Sequence, residues 1–271
     1  MGTIGQNDSN PAFRGPIFVV GAPRTGTTLT MGILNKHSQV HLYNEVHYSE
    51  RIYDTMPNDG ILDSTELEKA AGRLLKLSPW KKGAGSSDSD LSHLISAAQN
   101  FGGRHSSIFE AFLTGESHAH GKVIWGDSSP QDVLYIARLK RWYPDAKFIG
   151  VVRDPRGFLA SYKNYYRKEL KSYRNRFNPL ANSLLWRSYM RSLQSAKSSK
   201  LGPDVHLLHY EDLVRSPEPE IQRMCSFLGI PYEESMLEVG QQNSSYFSVK
   251  EDHKKQGISA GSRDRWRSEL S

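Results

Sequence analysis

The chain has 271 residues, 37% hydrophobic and 24% charged, which suits one large globular domain and excludes a low-complexity or fibrous chain. A net charge of +6 is a modest basic excess; it admits an anionic ligand or acceptor without requiring nucleic acid. A single cysteine, Cys225, rules out an internal disulfide or a cysteine-rich zinc site, the ten histidines lack His-Glu-x-x-His spacing, and no apolar run reaches the length of a membrane span.

In chain order, Met1 to Gly15 is polar and is expected to be disordered, so the folded domain is expected over 16–271. Ile17 to Val20 is a short β-branched run, as in a buried parallel strand, and Gly21 breaks it. Gly26 leads into Thr27, Thr28 and a helix whose apolar residues Leu29, Ile33 and Leu34 share a face. Strand, glycine turn and helix start together aim backbone N–H groups at an anion. A nucleotide triphosphatase loop would carry Lys where Thr27 stands; here the cation, Arg24, sits inside the loop, which argues against a γ-phosphate ligand.

Gln39 to Glu45 reads as a second strand, leading into Glu45-Val46-His47-Tyr48-Ser49-Glu50. If that segment stays extended, Glu45 and His47 point the same way. Residues 51–120 lack a strand signal and read as a helical insertion with a Gly/Ser/Asp-rich loop at 82–90, expected to wall the acceptor side. Lys122 to Asp127 is a third strand, after which Ser128-Ser129-Pro130 reads as the cap of a helix buried through Val133, Leu134, Ile136, Ala137 and Leu139. Lys147 to Val152 is the fourth strand; Asp154 and Pro155 start the helix that carries Ser161. Lys163 to Arg176 interleaves basic residues with tyrosines, which suits either an anionic polymer or a solvated helix and loop. Leu184 to Leu193 reads as an amphipathic helix, Val205 to Leu213 as the fifth strand and its exit, and Cys225 as a core thiol on the helix opened by Pro217 and ended by Gly229. The tail from Gly240 is polar and basic. Alternating strands and helices predict a three-layer α/β domain, P-loop-like, with a mostly parallel five-stranded sheet flanked by helices.

The loop Pro23-Arg24-Thr25-Gly26-Thr27-Thr28 resembles that of PAPS-dependent sulfotransferases, which cradles the 5′-phosphosulfate of 3′-phosphoadenosine 5′-phosphosulfate (PAPS). Arg153, followed eight residues later by Ser161, resembles the family's 3′-phosphate pair. Tyr210-Glu211-Asp212 is similar to the stretch whose Tyr approaches the adenine, and Glu45-Val46-His47 to the glycosaminoglycan sulfotransferase segment whose Glu is the catalytic base. More loosely, the tail resembles the family's closing loop, with Arg263, Arg265 and Trp266 as nucleotide contacts.

The resemblance implies PAPS as cofactor, PAP as product and no metal. Arg24, Thr25, Gly26, Thr27 and Thr28 would hold the phosphosulfate, Glu45 would deprotonate the acceptor, and His47 would orient Glu45 or the acceptor. The acceptor is expected to bear a hydroxyl; carbohydrate, small alcohol, phenol, peptide tyrosine and carrier-bound substrates stay open, anionic ones included. Ser128 and Asn44 depart from the pattern, standing where relatives often have Lys. The rival readings are a small-molecule kinase with Asp127 as its magnesium carboxylate, and a non-catalytic nucleotide-binding protein. A cytoplasmic protein is expected, without a membrane span, although an excised catalytic domain would read the same.

Overall fold

A computed structural model of the chain describes residues 13, 15–77, 88–168, 177–239, 258 and 266–270. Five strands, β1 (Ile17–Gly21), β2 (Val40–Asn44), β3 (Ile124–Ser128), β4 (Lys147–Val152) and β5 (Val205–His209), form one sheet in the order β2-β3-β1-β4-β5. Every neighbouring pair is parallel. The predicted α/β architecture is therefore the observed one.

Alternate residues of the strands feed two cores, as the two-residue period requires. Ile17, Val19, Val40, Leu42, Ile149 and Val151 face α1 (Thr27–Lys36), α9 (Tyr210–Arg215) and α10 (Pro217–Leu228). Phe18, Val20, Tyr43, Trp125 and Phe148 face the opposite layer. That layer includes α3 (Ser64–Leu77), α4 (Asp88–Asn100), α5 (His105–Ala119), α6 (Ile136–Trp142), α7 (Pro155–Lys168) and α8 (Pro179–Lys197). Phe18, fully buried, stacks with Phe109 and Phe148; each such side chain contributes about 1.5–3 kcal/mol through burial. Cys225 is buried as expected, with its sulfur 3.7 Å from that of Met236, and burial pushes the thiol up to about 11.

Most of the described residues in 51–120 lie in α3, α4 and α5, with irregular backbone at 56–63 and 101–104; 78–87 lie outside the described residues. The segment after β3 differs from expectation. Residues Pro130–Leu134 form a 3-10 turn and α6 begins only at Ile136, leaving Leu134 (48%) and Ala137 exposed. The turn rotates these two side chains off the apolar face that a continuous helix would have given them. The Ser129 hydroxyl does not cap the helix either, because it accepts the N–H of His47.

The chain leaves β1 toward β2 and leaves β4 toward β5. Adjacent strands therefore send their helices in opposite directions, which makes the β1–β4 crevice the switch point where open α/β sheets take ligands.

Candidate active site

All five strands deliver candidate residues to the same edge of the sheet, because all five run parallel and each candidate follows a strand's C-terminal end. Along that edge stand Glu45 and His47 after β2, Asp127 and Ser129 at β3, the Arg24 loop after β1, Arg153 after β4, and Tyr210 after β5. The acids lie on the β2–β3 side, and Arg24 and Arg153 flank the switch point.

Gly21 and Gly26 allow the loop its path. Gly26 has φ +110°, and a Cβ there would stand 2.6 Å from the Tyr210 ring. Thr25 is buried and its hydroxyl donates to Ala22 O at 2.7 Å, which closes the turn. Thr27 and Thr28 open α1, so their N–H groups are among the first-turn donors left over at a helix start. Arg24 has φ 71°; its Nε donates to Ser161 Oγ at 3.2 Å, and its guanidinium lies over Tyr165. The sequence suggested that the Ser161 hydroxyl would point back toward Arg153; in the structure it accepts the Arg24 Nε–H.

Arg153 is 8% exposed. It donates to Arg24 O at 3.0 Å across the switch point, and its guanidinium lies 4.3 Å from the centre of the Tyr210 ring. Tyr210 is thus wedged between Gly26 and Arg153. Two bonds brace the same region: Trp186 Nε1 donates to Arg153 O, and the Asp154 N–H donates to Glu211. At the chain's end, α11 (Trp266–Glu269) packs on α7, with Arg156 4.0 Å from the centre of the Trp266 ring and Lys163 donating to Glu269 O. Arg263, Arg265, the Lys254-Lys255-Gln256-Gly257 stretch and most of the basic run up to Arg176 lie outside the described residues.

The segment after β2 is not extended. Glu45 has φ 58° and His47 φ 54°, both left-handed, and three consecutive N–H groups explain why. Those of Glu45, Val46 and His47 donate to Ser128 O, Asp127 Oδ1 and Ser129 Oγ at 3.3, 3.3 and 2.9 Å. The turn nevertheless brings the two predicted side chains together, with His47 Nε2 3.8 Å from Glu45 Oε2. The other ring nitrogen, Nδ1, lies 3.9 Å from Glu50, which the sequence reading did not assign a role. His47 is buried, whereas Glu45 keeps 24% of its side chain exposed and can meet a substrate. Asp127 is fully buried; burial, opposed by the Ser129 hydroxyl and His47, pushes its carboxyl up to about 6. Ser128 is also buried.

Arg24, Glu45 and His47 are the only non-glycine residues with positive φ among the described residues. The sequence motifs thus coincide with the strained backbone. Such positions cost about 1–2 kcal/mol each and cluster where function requires them.

Fold and edge define an α/β protein with a glycine-bounded loop opening a helix at a parallel-sheet switch point, and a carboxylate–imidazole pair on the same edge. Residues 16–234 match the model of the sulfotransferase family, and the chain belongs to that family. Protein-tyrosine sulfotransferase 1 of Danio rerio is 28% identical over 246 residues, which is 86% of this chain and 59% of that protein. An uncharacterized protein of Aquifex aeolicus is 26% identical over 256 residues, covering 93% of this chain and 30% of its own length. The chain thus spans less than two thirds of either relative. The sulfotransferase domain from the curacin biosynthetic pathway shares the fold, with a TM-score of 0.61, 20% identity, and coverage of 94% of this chain and 91% of that domain.

Proposed function

We propose that the protein transfers a sulfuryl group from PAPS to an acceptor hydroxyl. The observation that carries this reading is the set of left-handed residues: Arg24 in the anion loop, and Glu45 and His47 at the end of β2. Arg24, the loop amides around Gly26 to Thr28 and the positive end of α1 hold the phosphosulfate. Arg153 and Ser161 take the 3′-phosphate, Tyr210 lies near the adenine, and the tail with Arg263, Arg265 and Trp266 closes over the nucleotide. Glu45 takes the proton of the acceptor hydroxyl as its oxygen bonds to sulfur. The bond from sulfur to the 5′-phosphate oxygen breaks, and PAP leaves with that electron pair. His47 orients the Glu45 carboxylate. Positioning and fixed charge supply most of the acceleration, as in phosphoryl transfer.

The test offers labelled PAPS to a panel of sugar, alcohol, phenol and tyrosyl-peptide acceptors, followed by Glu45→Gln on the best of them. Glu45→Gln is expected to keep PAPS affinity and lose turnover by roughly 10²- to 10⁴-fold, with a smaller, non-additive loss for His47→Ala. Near-normal turnover in Glu45→Gln would remove the base assignment, and an absence of PAPS turnover with every acceptor would favour a non-catalytic nucleotide-binding protein.

A further inference from the structure

Beside the Glu45–His47 pair stands a second accessible carboxylate, Glu50, which the proposed reaction does not use. It lies on the short helix Tyr48–Arg51, 3.9 Å from Nδ1 of His47, whose Nε2 lies 3.8 Å from Glu45. One buried imidazole thus separates two carboxylates, and both reach solvent, with 24% of the Glu45 side chain exposed and 53% of Glu50. His47 itself is 3% exposed, and its Nδ1 has no hydrogen-bond partner among the described residues.

The cations near this pair are engaged elsewhere. Arg138 pairs with Asp54 at 2.8 Å, where the Tyr135 hydroxyl also donates at 2.7 Å. Arg24 belongs to the loop after β1, where it donates to Ser161 and lies over Tyr165. Among the described residues neither Glu45 nor Glu50 forms an ion pair with a Lys or Arg, Arg51 next to Glu50 included. Asp127 and Asp132, both buried, are acids as well. Burial first, with Glu50 among the further causes, raises the hydroxyls of Tyr135 and Tyr189, so two aromatic rings lie within the field of Glu50.

An anionic acceptor brought to Glu45 would meet a second negative charge one imidazole away, whereas a cationic one would gain from it. Tyrosine faces also favour a cation. We propose that the acceptor carries a cationic group, an ammonium or guanidinium, that pairs with Glu50 while its hydroxyl meets Glu45. This rests on the reading of Glu45 as the group that meets the acceptor hydroxyl. Glu50 is then a specificity residue, and sulfated glycans and acidic peptides are poor acceptors.

The test is NMR-detected binding of matched probes to the full chain, with and without PAP, at about pH 6.5. Tyramine, 4-ethylphenol and 3-(4-hydroxyphenyl)propionate share a phenol and differ in charge; glucosamine, glucose and glucuronate do the same for a sugar. In at least one set the ammonium member should bind at least about fivefold more tightly than the neutral one, and the carboxylate member most weakly. The difference should shrink as salt is raised. The ammonium probe should move the Glu50 carboxyl resonance. Glu50→Gln, at an exposed position, should remove the ammonium advantage and leave the neutral member unchanged. The proposal is overturned if no ammonium probe binds, if the carboxylate member binds as well as the ammonium member, or if Glu50→Gln leaves the charge order intact. Binding is read without turnover, so a failure of the PAPS reading would show separately, as absent PAP binding or absent transfer.

Discussion

Glu45 offers a direct measure of what its left-handed backbone costs. Glu45→Gly and Glu45→Ala both delete the carboxylate and its 3.8 Å approach to His47, so those losses cancel in the comparison. What remains is the backbone at φ 58°. An L-residue in that region costs about 1–2 kcal/mol, which glycine avoids. Glycine in turn loses about 0.5–1 kcal/mol more chain entropy on folding than alanine. The difference leaves Glu45→Gly more stable than Glu45→Ala by roughly 0.5–1 kcal/mol, or about 1–3 °C in Tm for a domain of this size. At an ordinary helix or strand position the sign is reversed. Urea midpoints of the two variants measured side by side decide the matter, and an alanine variant equal to or more stable than the glycine variant would refute the left-handed assignment.

Arg153→Ala should weaken PAP by about 2–4 kcal/mol while barely touching adenosine 5′-phosphosulfate, which lacks the 3′-phosphate; calorimetry with both ligands checks this, and equal losses would take Arg153 off that phosphate. His41 stacks on His120 at 3.9 Å, and burial with the charges of His120 and Lys122 depresses it to about 4, below its unfolded value near 6.5. The unfolded chain therefore binds the extra proton first, so stability should fall by about 1–3 kcal/mol as pH drops from about 6.5 to 4. Denaturation midpoints across that range should fall less steeply in His41→Gln.

The strands were legible because β-branched runs between glycines and charges have few alternatives, and Ile17 to Val20 and Lys147 to Val152 lie where the pattern puts them. The loop after β1 was legible because Gly26 answers a local backbone need, a φ of +110° that residues with a side chain rarely adopt. The turn at 45–47 was not. Nothing local in Glu-Val-His calls for left-handed backbone, and the hydrogen bonds that impose it come from residues about 80 positions later in the chain. The same long-range demand removed Ser129 from its expected cap. Asp132 was invisible for a related reason, since an acid in a Pro-Gln-Asp turn looks solvated until the turn packs against the sheet.

The most direct test of the proposed chemistry is calorimetric titration of the protein with PAP, and separately with ATP plus magnesium. With Thr27 in place of the triphosphatase lysine, and with Arg153 and Ser161 in the 3′-phosphate role proposed above, PAP should bind tightly in the presence of a metal chelator, with ATP far weaker. Tight Mg·ATP binding without PAP binding would contradict the assignment and point to a kinase.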